Sequence, residues 1–496
     1  MDWLTGRITA TQPACIGRLR VVTMRPGRLP GDKRVRVELT KPRDYTVPSA
    51  RRIRRPPPPG LVLVAGFVAL SLIGMVLLML PISSAAGTWT PPLSALFTSV
   101  SAVCVTGLVV VDTSTYWSPA GKAVILGLIQ VGGFGFMTGS TLLLLLLVGR
   151  RTGLRDRILV QASTGVPELG SVTVLVRRIA LFTLLAEGAG AVVLAVAFVV
   201  RDLDPLTAVS FGVFHSISAF NNAGFDLMGN FQSLSGYVGD PLILVPIGVL
   251  IVLGGLGFAI VGDVYGKRRW SRFALETKIV VVTTIALLAV GTIAIGIFEW
   301  SNPDTLGALP VEQRPLNALF ESVTLRTAGF SALDTAALTE ASLLVVMGLM
   351  FIGGASGSTA GGIKVNTFSV LLVAIVSTAR GRPSAEAFGR RIPHILIYRA
   401  LSVALLSIAA LFLVALGLVL TAPMYSIVQV LFEAVSALGT VGASTGITPE
   451  LPDGSRMILI VAMFVGRLGP LTLVLAMTAR TRPIAYRPAV ETLRIG

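Results

Sequence analysis

The chain has 496 residues, 53% hydrophobic and 13% charged, with a mean hydropathy of +0.81 and a formal net charge of +16. So apolar a composition excludes an ordinary soluble domain and indicates a polytopic membrane protein. In a soluble chain the basic surplus would suit nucleic acid, but here it follows from membrane orientation and contact with anionic lipid, so no nucleic-acid partner is expected.

Residues 1–59 form a basic tail with 14 Lys and Arg against 4 Asp and Glu, ending in Arg54-Arg55 and four prolines that make a stiff extended connector. Its length and composition differ from a signal peptide, and none is expected. Leu61–Leu80 is uncharged and long enough to cross a bilayer core of about 30 Å. Comparable runs follow at Ile179–Val200, interrupted by Glu187, and at Ile279–Phe298 and Ala400–Leu420. These are the expected outer helices.

Each outer helix is followed by a short semi-apolar helix closing on glycine. The copies are Leu96–Leu108, Val213–Phe225, Leu319–Phe330 and Leu431–Ala443, with their glycines at 107, 224, 329 and 442. One glycine ending a short helix is an ordinary cap. Four copies in register are an internal repeat, which fixes the architecture before any single residue does. Inner helices are expected at Ala123–Val148, Pro241–Val261, Leu343–Val376 and Met457–Met477, carrying Gly132-Gly133, Gly254-Gly255, Gly353-Gly354 and Gly466-Arg467.

The pattern predicts an all-α polytopic membrane protein of four helix–pore loop–helix repeats, eight transmembrane helices in all, in pseudo-fourfold arrangement around a central ion pore. The expected segments are the tail 1–59, repeat one at 60–150, a cytoplasmic connector at 151–173, repeat two at 174–267, repeat three at 268–382, repeat four at 383–482 and a C-terminal tail at 483–496. Arg150, Arg151, Arg177, Arg178, Lys267, Arg268, Arg380, Arg390 and Arg480 fall on one side of this topology. By the positive-inside rule that side, with both termini, is cytoplasmic, and the pore loops enter from outside. Cys15 and Cys104 then lie on opposite sides, so no disulfide is expected.

An ion leaves water only where its hydration shell is replaced, and backbone carbonyls can replace it where chain segments converge. Glycine permits the necessary backbone angles and keeps the axis clear. The candidate filter is therefore Val105, Thr106, Gly107; Asn222, Ala223, Gly224; Thr327, Ala328, Gly329; and Thr440, Val441, Gly442, with K+ at their carbonyls. The third inner helix should break at Gly353, Gly354, Ala355, Ser356, Gly357, Ser358, Thr359, Ala360, Gly361 and Gly362, because so many glycines cannot hold a rigid helix. A packing seam is the other reading of that stretch.

Arg467 replaces a glycine of the other repeats at what reads as mid-span. It faces the pore as a barrier to a resting cation, or it is a snorkelling structural arginine. Lys364 is placed to hold the glycine-rich loop closed. His215, Glu321 and Glu433 share one aligned position and should brace the pore loops. Arg326 should pair with a carboxylate, while the partner of Glu187 is not assignable. Asp112, Asp226 and Asp334 either gather cations at the outer mouth or are ordinary loop residues. Neither glycine-rich string follows a strand within a βαβ unit, so no nucleotide is expected on this chain.

The four loops, with Asn221-Asn-Ala-Gly-Phe225, Arg326-Thr-Ala-Gly-Phe330 and Gly466-Arg-Leu-Gly-Pro470, resemble the Trk/Ktr/HKT superfamily of potassium transporters over about residues 60–482. The likeness is closest to the bacterial Ktr membrane subunit, because the two additional N-terminal spans of Trk-type subunits are absent. The resemblance implies K+ uptake through a bacterial cell membrane, often with Na+ as activator. It also implies a homodimer with a pore in each subunit, a cytoplasmic ring of nucleotide-binding KtrA-like RCK subunits, and a gate formed by the glycine-rich loop. In this family a serine at the first filter position accompanies Na+ permeation; Gly107 there favours K+. A cation-coupled carrier with alternating access is the alternative. A membrane enzyme would need clustered ionisable side chains, and the sequence offers isolated ones.

Overall fold

The computed structural model describes residues 59–149 and 172–469. The basic tail, most of the connector and the chain beyond 469 lie outside the described residues, as do Cys15, Arg150, Arg151 and Arg480.

In chain order the helices of more than ten residues are α1 (Pro59–Met79), α2 (Pro92–Val103), α3 (Pro119–Gly149), α4 (Val172–Val200), α5 (Pro205–Phe220), α6 (Pro241–Lys267), α7 (Leu275–Glu299), α8 (Arg314–Thr324), α9 (Glu340–Phe351), α10 (Val365–Ala379), α11 (His394–Thr421), α12 (Ile427–Gly439) and α13 (Asp453–Leu468). A two-stranded hairpin, β1 (Glu386–Ala387) and β2 (Arg390–Arg391), pairs Glu386 with Arg391 ahead of α11. The protein is an all-α membrane protein.

Five helices among the described residues are long and apolar enough to cross a bilayer, lying within α3, α4, α6, α7 and α11. Their lipid-side faces expose Leu184, Leu185, Val192 and Val196 on α4 and Leu405, Phe412, Leu413 and Leu420 on α11. Such faces are stable because the surrounding solvent is hydrocarbon, while every backbone polar group is satisfied inside the helix.

The third inner helix is not continuous. It stops at Phe351 and resumes at Val365, with a parallel bridge between Ile352 and Ile363 across the gap. In α6 the helix kinks at Gly257 (φ 73, ψ 163), where the backbone of Ser358 approaches so closely that an added Cβ would stand 3.0 Å from its Cα.

Of the expected run Met457–Met477, α13 covers the part up to Leu468, where Gly469 turns to φ 78, and the chain beyond 469 lies outside the described residues. Arg467 sits in the last turn of α13.

Candidate functional site

The short helices α2, α5, α8 and α12 are started by local chemistry. Proline stands in the first turn of α2, α5 and α8, where its missing N–H costs nothing, and Ser426 with Gln429 forms a capping box on α12. Three of the four are pinned to an outer helix in the same way. Ser99 Oγ donates to Ser71 O (2.7 Å), Ser216 Oγ to Glu187 O (2.6 Å) and Ser322 Oγ to Leu288 O (2.9 Å). One turn further along each outer helix stands Gly74, Gly190 or Gly291, where a Cβ would collide with the same serine hydroxyl. This Ser–Gly pairing is written in the sequence at matching positions of repeats one to three. The string alone does not show the pairing, because the two residues lie on different helices.

Beyond each short helix the backbone takes one shape four times. Val105 (φ 56), Asn222 (φ 58), Thr327 (φ 76) and Thr440 (φ 49) are left-handed, and so are Gly107 (φ 90), Gly224 (φ 69), Gly329 (φ 77) and Gly442 (φ 95). Three non-glycine types forced into this region mark strain that the surrounding packing must hold. Thr106, Ala223, Ala328 and Val441, between the two left-handed positions, are fully buried.

The glycines form a closed ring. A Cβ on Gly107 would strike the carbonyl of Ala223, one on Gly224 would stand 2.5 Å from Ala328 O, one on Gly329 would strike Val441 O, and one on Gly442 would strike Thr106 O. Each loop thus abuts the next, and the fourth abuts the first. There is no room for any side chain at these positions.

The loops are tied back behind the ring. Gly107 N donates to Ser101 Oγ (3.1 Å) and Gly442 N to Ser436 Oγ (3.2 Å); Ser218 Oγ donates to Phe225 O and Thr324 Oγ1 to Phe330 O, both at 2.7 Å. The aligned trio acts as braces. Glu321 Oε1 accepts from Ala332 N (2.8 Å) and Leu333 N (3.0 Å). Glu433 accepts from Ser444 Oγ (2.6 Å), Thr445 N (3.0 Å) and Thr448 Oγ1 (2.7 Å). His215 Nε2 accepts from Leu227 N (3.3 Å).

At the other end of the ring's loops lies the 353–362 segment. Thr359 Oγ1 is 2.9 Å from Asn222 Oδ1 and 3.2 Å from Phe220 O. A Cβ on Gly353 would be 3.3 Å from Thr327 Cγ2, and one on Gly361 would collide with Thr440 Oγ1, so the segment touches three of the four left-handed positions. Ala355 N donates to Gly255 O (2.8 Å), Val365 N to Gly354 O (3.0 Å) and Ser356 N to Asn366 Oδ1 (2.9 Å); Ser358 and Ala360 are buried, and Gly357 and Gly362 turn the chain at φ 77 and 61. Two cations hold its later half. Lys364 Nζ donates to Ala360 O and, at 3.5 Å, to Gly361 O, and Arg467 Nη1 donates to Thr359 O. Both lie against one ring, Phe136, at 4.9 Å and 4.4 Å from its centroid. The role of Phe136 was not visible in the sequence.

Glu187 finds its partners here: its carboxylate accepts from Gln130 Nε2 (3.0 Å) and Asn221 Nδ2 (2.8 Å), at the end of α5. The carboxylate expected beside Arg326 is absent among the described residues. Its Nη2 donates instead to Gly353 O (3.2 Å), because the start of the broken helix leaves that carbonyl without a helical donor. Asp112 caps the turn at Thr115 (2.8 Å) and accepts from Phe231 N (2.9 Å), and Asp334 caps Ala336 (2.9 Å). Asp226, in the loop after Gly224, accepts from Met228 N (2.9 Å); burial pushes its carboxyl up to about 6, with the nearby Asp112 adding in the same sense.

The family described as TrkH, cation transport protein, matches residues 58–481. Among curated proteins, the chain is similar to the Ktr system potassium uptake protein B of Bacillus subtilis, 43% identical over 421 residues that cover 84% of this chain and 92% of that one. It is also similar to the potassium/sodium uptake protein NtpJ of Enterococcus hirae, 35% identical over 451 residues, covering 90% and 99%. Among solved structures, the potassium transporter TrkH from Vibrio parahaemolyticus superposes with a TM-score of 0.66 at 19% identity, over 86% of each chain, a likeness of fold.

Proposed function

The chain belongs to the TrkH family of cation transport proteins, and from that premise we propose that it is the pore-forming membrane subunit of a K+ uptake system, with the ring of four glycine loops as its selectivity filter. The observation that carries this reading is the closed ring itself: four loops with the same pair of left-handed residues, each against the next. With left-handed residues at two of three successive positions, the carbonyls of 105–107, 222–224, 327–329 and 440–442 can face a common axis and replace the waters of a dehydrated cation. The C-terminal ends of α2, α5, α8 and α12 stop at the ring, and the negative ends of their dipoles favour a cation there.

Segment 353–362 is the gate. It lies across three of the four loops, and Lys364 and Arg467 both fasten it and place positive charge on the route of the ion. Opening requires these bonds to be given up together. In this reading the basic side is cytoplasmic, Na+ acts as activator, and the subunit works as a homodimer with a KtrA-like nucleotide-binding ring as partner. The name Ktr system potassium uptake protein B of the Bacillus relative supports a partner subunit, and the name potassium/sodium uptake protein of the Enterococcus relative supports a part for Na+.

The test is ion flux in liposomes containing the purified protein. K+ entry is expected to exceed Na+ entry, Gly107→Ser to lower that ratio because its Cβ meets the Ala223 carbonyl, and Arg467→Ala to raise the flux. Equal K+ and Na+ entry, unaffected by either change, refutes the assignment.

A further inference from the structure

Arg326 carries a guanidinium into the protein interior, where it is 8% exposed. Among the described residues its side chain makes one hydrogen bond, from Nη2 to Gly353 O, its Nε has no partner, and no carboxylate forms an ion pair with it. Asn222, 1% exposed, has the same shortage: Thr359 occupies its Oδ1, while its Nδ2 has no partner. Both residues line one narrow side cavity, about 20 Å³ in volume, between α6, α7, α8 and the start of segment 353–362. Apart from these two residues and Thr284 its side-chain walls are apolar, with Ile251, Leu288 and Val323 among them, and among the described residues no acidic one lines it.

Two unsatisfied donors, one on a full positive charge, thus share a cavity without an anionic side chain. A buried guanidinium with no counter-charge is strongly unfavourable in a low-dielectric interior. Water would satisfy the donors but leave the charge, and it would bring two hydrogens of its own that also need acceptors. A monovalent anion satisfies both donors and neutralises the charge. One positive charge and apolar walls favour a weakly hydrated, singly charged ion over sulfate or phosphate.

We propose that this cavity is a binding site for one chloride-class halide ion, held between Arg326 Nε and Asn222 Nδ2. The ion would tie the second and third ring loops to Gly353, where the broken helix begins. Its loss would loosen segment 353–362. The site stands apart from the K+ reading, since its test is a binding measurement without ion flux and each can fail alone.

The full chain in detergent or nanodiscs is unfolded thermally in potassium gluconate, chloride or bromide at equal ionic strength, and crystals are soaked in bromide. The expected results are a Tm that rises with chloride and bromide but not gluconate, and an anomalous bromide peak against Arg326 Nε. Arg326→Gln should abolish the bromide-dependent rise, and Leu288→Phe, which fills the cavity without touching either donor, should weaken the apparent bromide affinity about tenfold or more. If Arg326→Gln does not fold, Leu288→Phe and the anomalous map decide. Ordered water without anomalous signal, equal stabilisation by gluconate, or a bromide effect that survives in Leu288→Phe overturns the proposal.

Discussion

Replacing Glu321 separates bracing from mere filling of space. Its Oε1 alone accepts both Ala332 N and Leu333 N, at 2.8 and 3.0 Å, and those amides belong to the backbone that leaves the ring just after Gly329 and Phe330. In Glu321→Ala both buried N–H groups lose their acceptor, at about 1–3 kcal/mol each, so the third loop is destabilised by roughly 2–6 kcal/mol before relaxation. That is comparable with the whole stability of a typical domain, about 5–15 kcal/mol, and it falls on one loop. Glu321→Gln keeps a carbonyl oxygen in place and loses only charge assistance, a cost of about 1 kcal/mol. Amide hydrogen exchange of the 330–335 peptide, measured beside K+ and Na+ flux in liposomes, reports both effects. Glu321→Ala should speed exchange and lower the K+ to Na+ ratio, with Glu321→Gln close to the parent protein. Equal behaviour of the two variants, or normal exchange in Glu321→Ala, would refute the bracing role.

Gly190→Ala puts a methyl 2.5 Å from Ser216 Oγ and 2.7 Å from Leu250 Cδ1, and should lower the Tm, whereas Gly66→Ala meets nothing within 4 Å and should be neutral or slightly stabilising by its helix propensity; the same Tm for both would contradict the close packing of α4 on α5. Because the Asp226 carboxyl is raised to about 6 from an ordinary 3.8, the folded protein holds its proton more tightly than the unfolded chain, so this residue's contribution to stability is fully present below pH 4 and is lost as pH rises through 6. Asp226→Asn should flatten the Tm profile between pH 4 and 7. The Arg201 guanidinium, 2.7 and 2.9 Å from the two oxygens of Asp240, holds that carboxyl below its usual range, but its side chain is 43% exposed, so Arg201→Ala should lower the Tm only slightly and the effect should shrink in high salt. Thr359→Val removes the hydroxyl between the 353–362 segment and Asn222, and should raise basal K+ flux while leaving the fold intact by circular dichroism.

Much of the fold is local and therefore legible in the chain. An uncharged apolar run of bilayer length states a spanning helix regardless of its neighbours, and the glycine density from Gly353 to Gly362 states a break, because both depend on free energies of nearby residues. The recurrence of Gly107, Gly224, Gly329 and Gly442 is equally visible as repetition in the string. The limit shows at Gly257, where the apolar pattern of α6 runs on but the backbone kinks against Ser358.

Which residues meet is a different matter, since it depends on where helices far apart in sequence converge. The ring order, the seat of Ser99, Ser216 and Ser322 against their outer-helix glycines, the amides on Glu187 and the two cations on Phe136 are all consequences of packing. Arg326 shows the difference most clearly. Its charge implied a carboxylate, yet the tertiary structure gives it the carbonyl of Gly353 and a place in the wall of a side cavity. The sequence by itself determined the spans, the repeated glycine loops and the break in the third inner helix, because these are set by hydropathy and backbone propensity. Only the tertiary structure decided the partners of the buried charges, because a polar group in a membrane interior must bond to whatever the packing brings within reach.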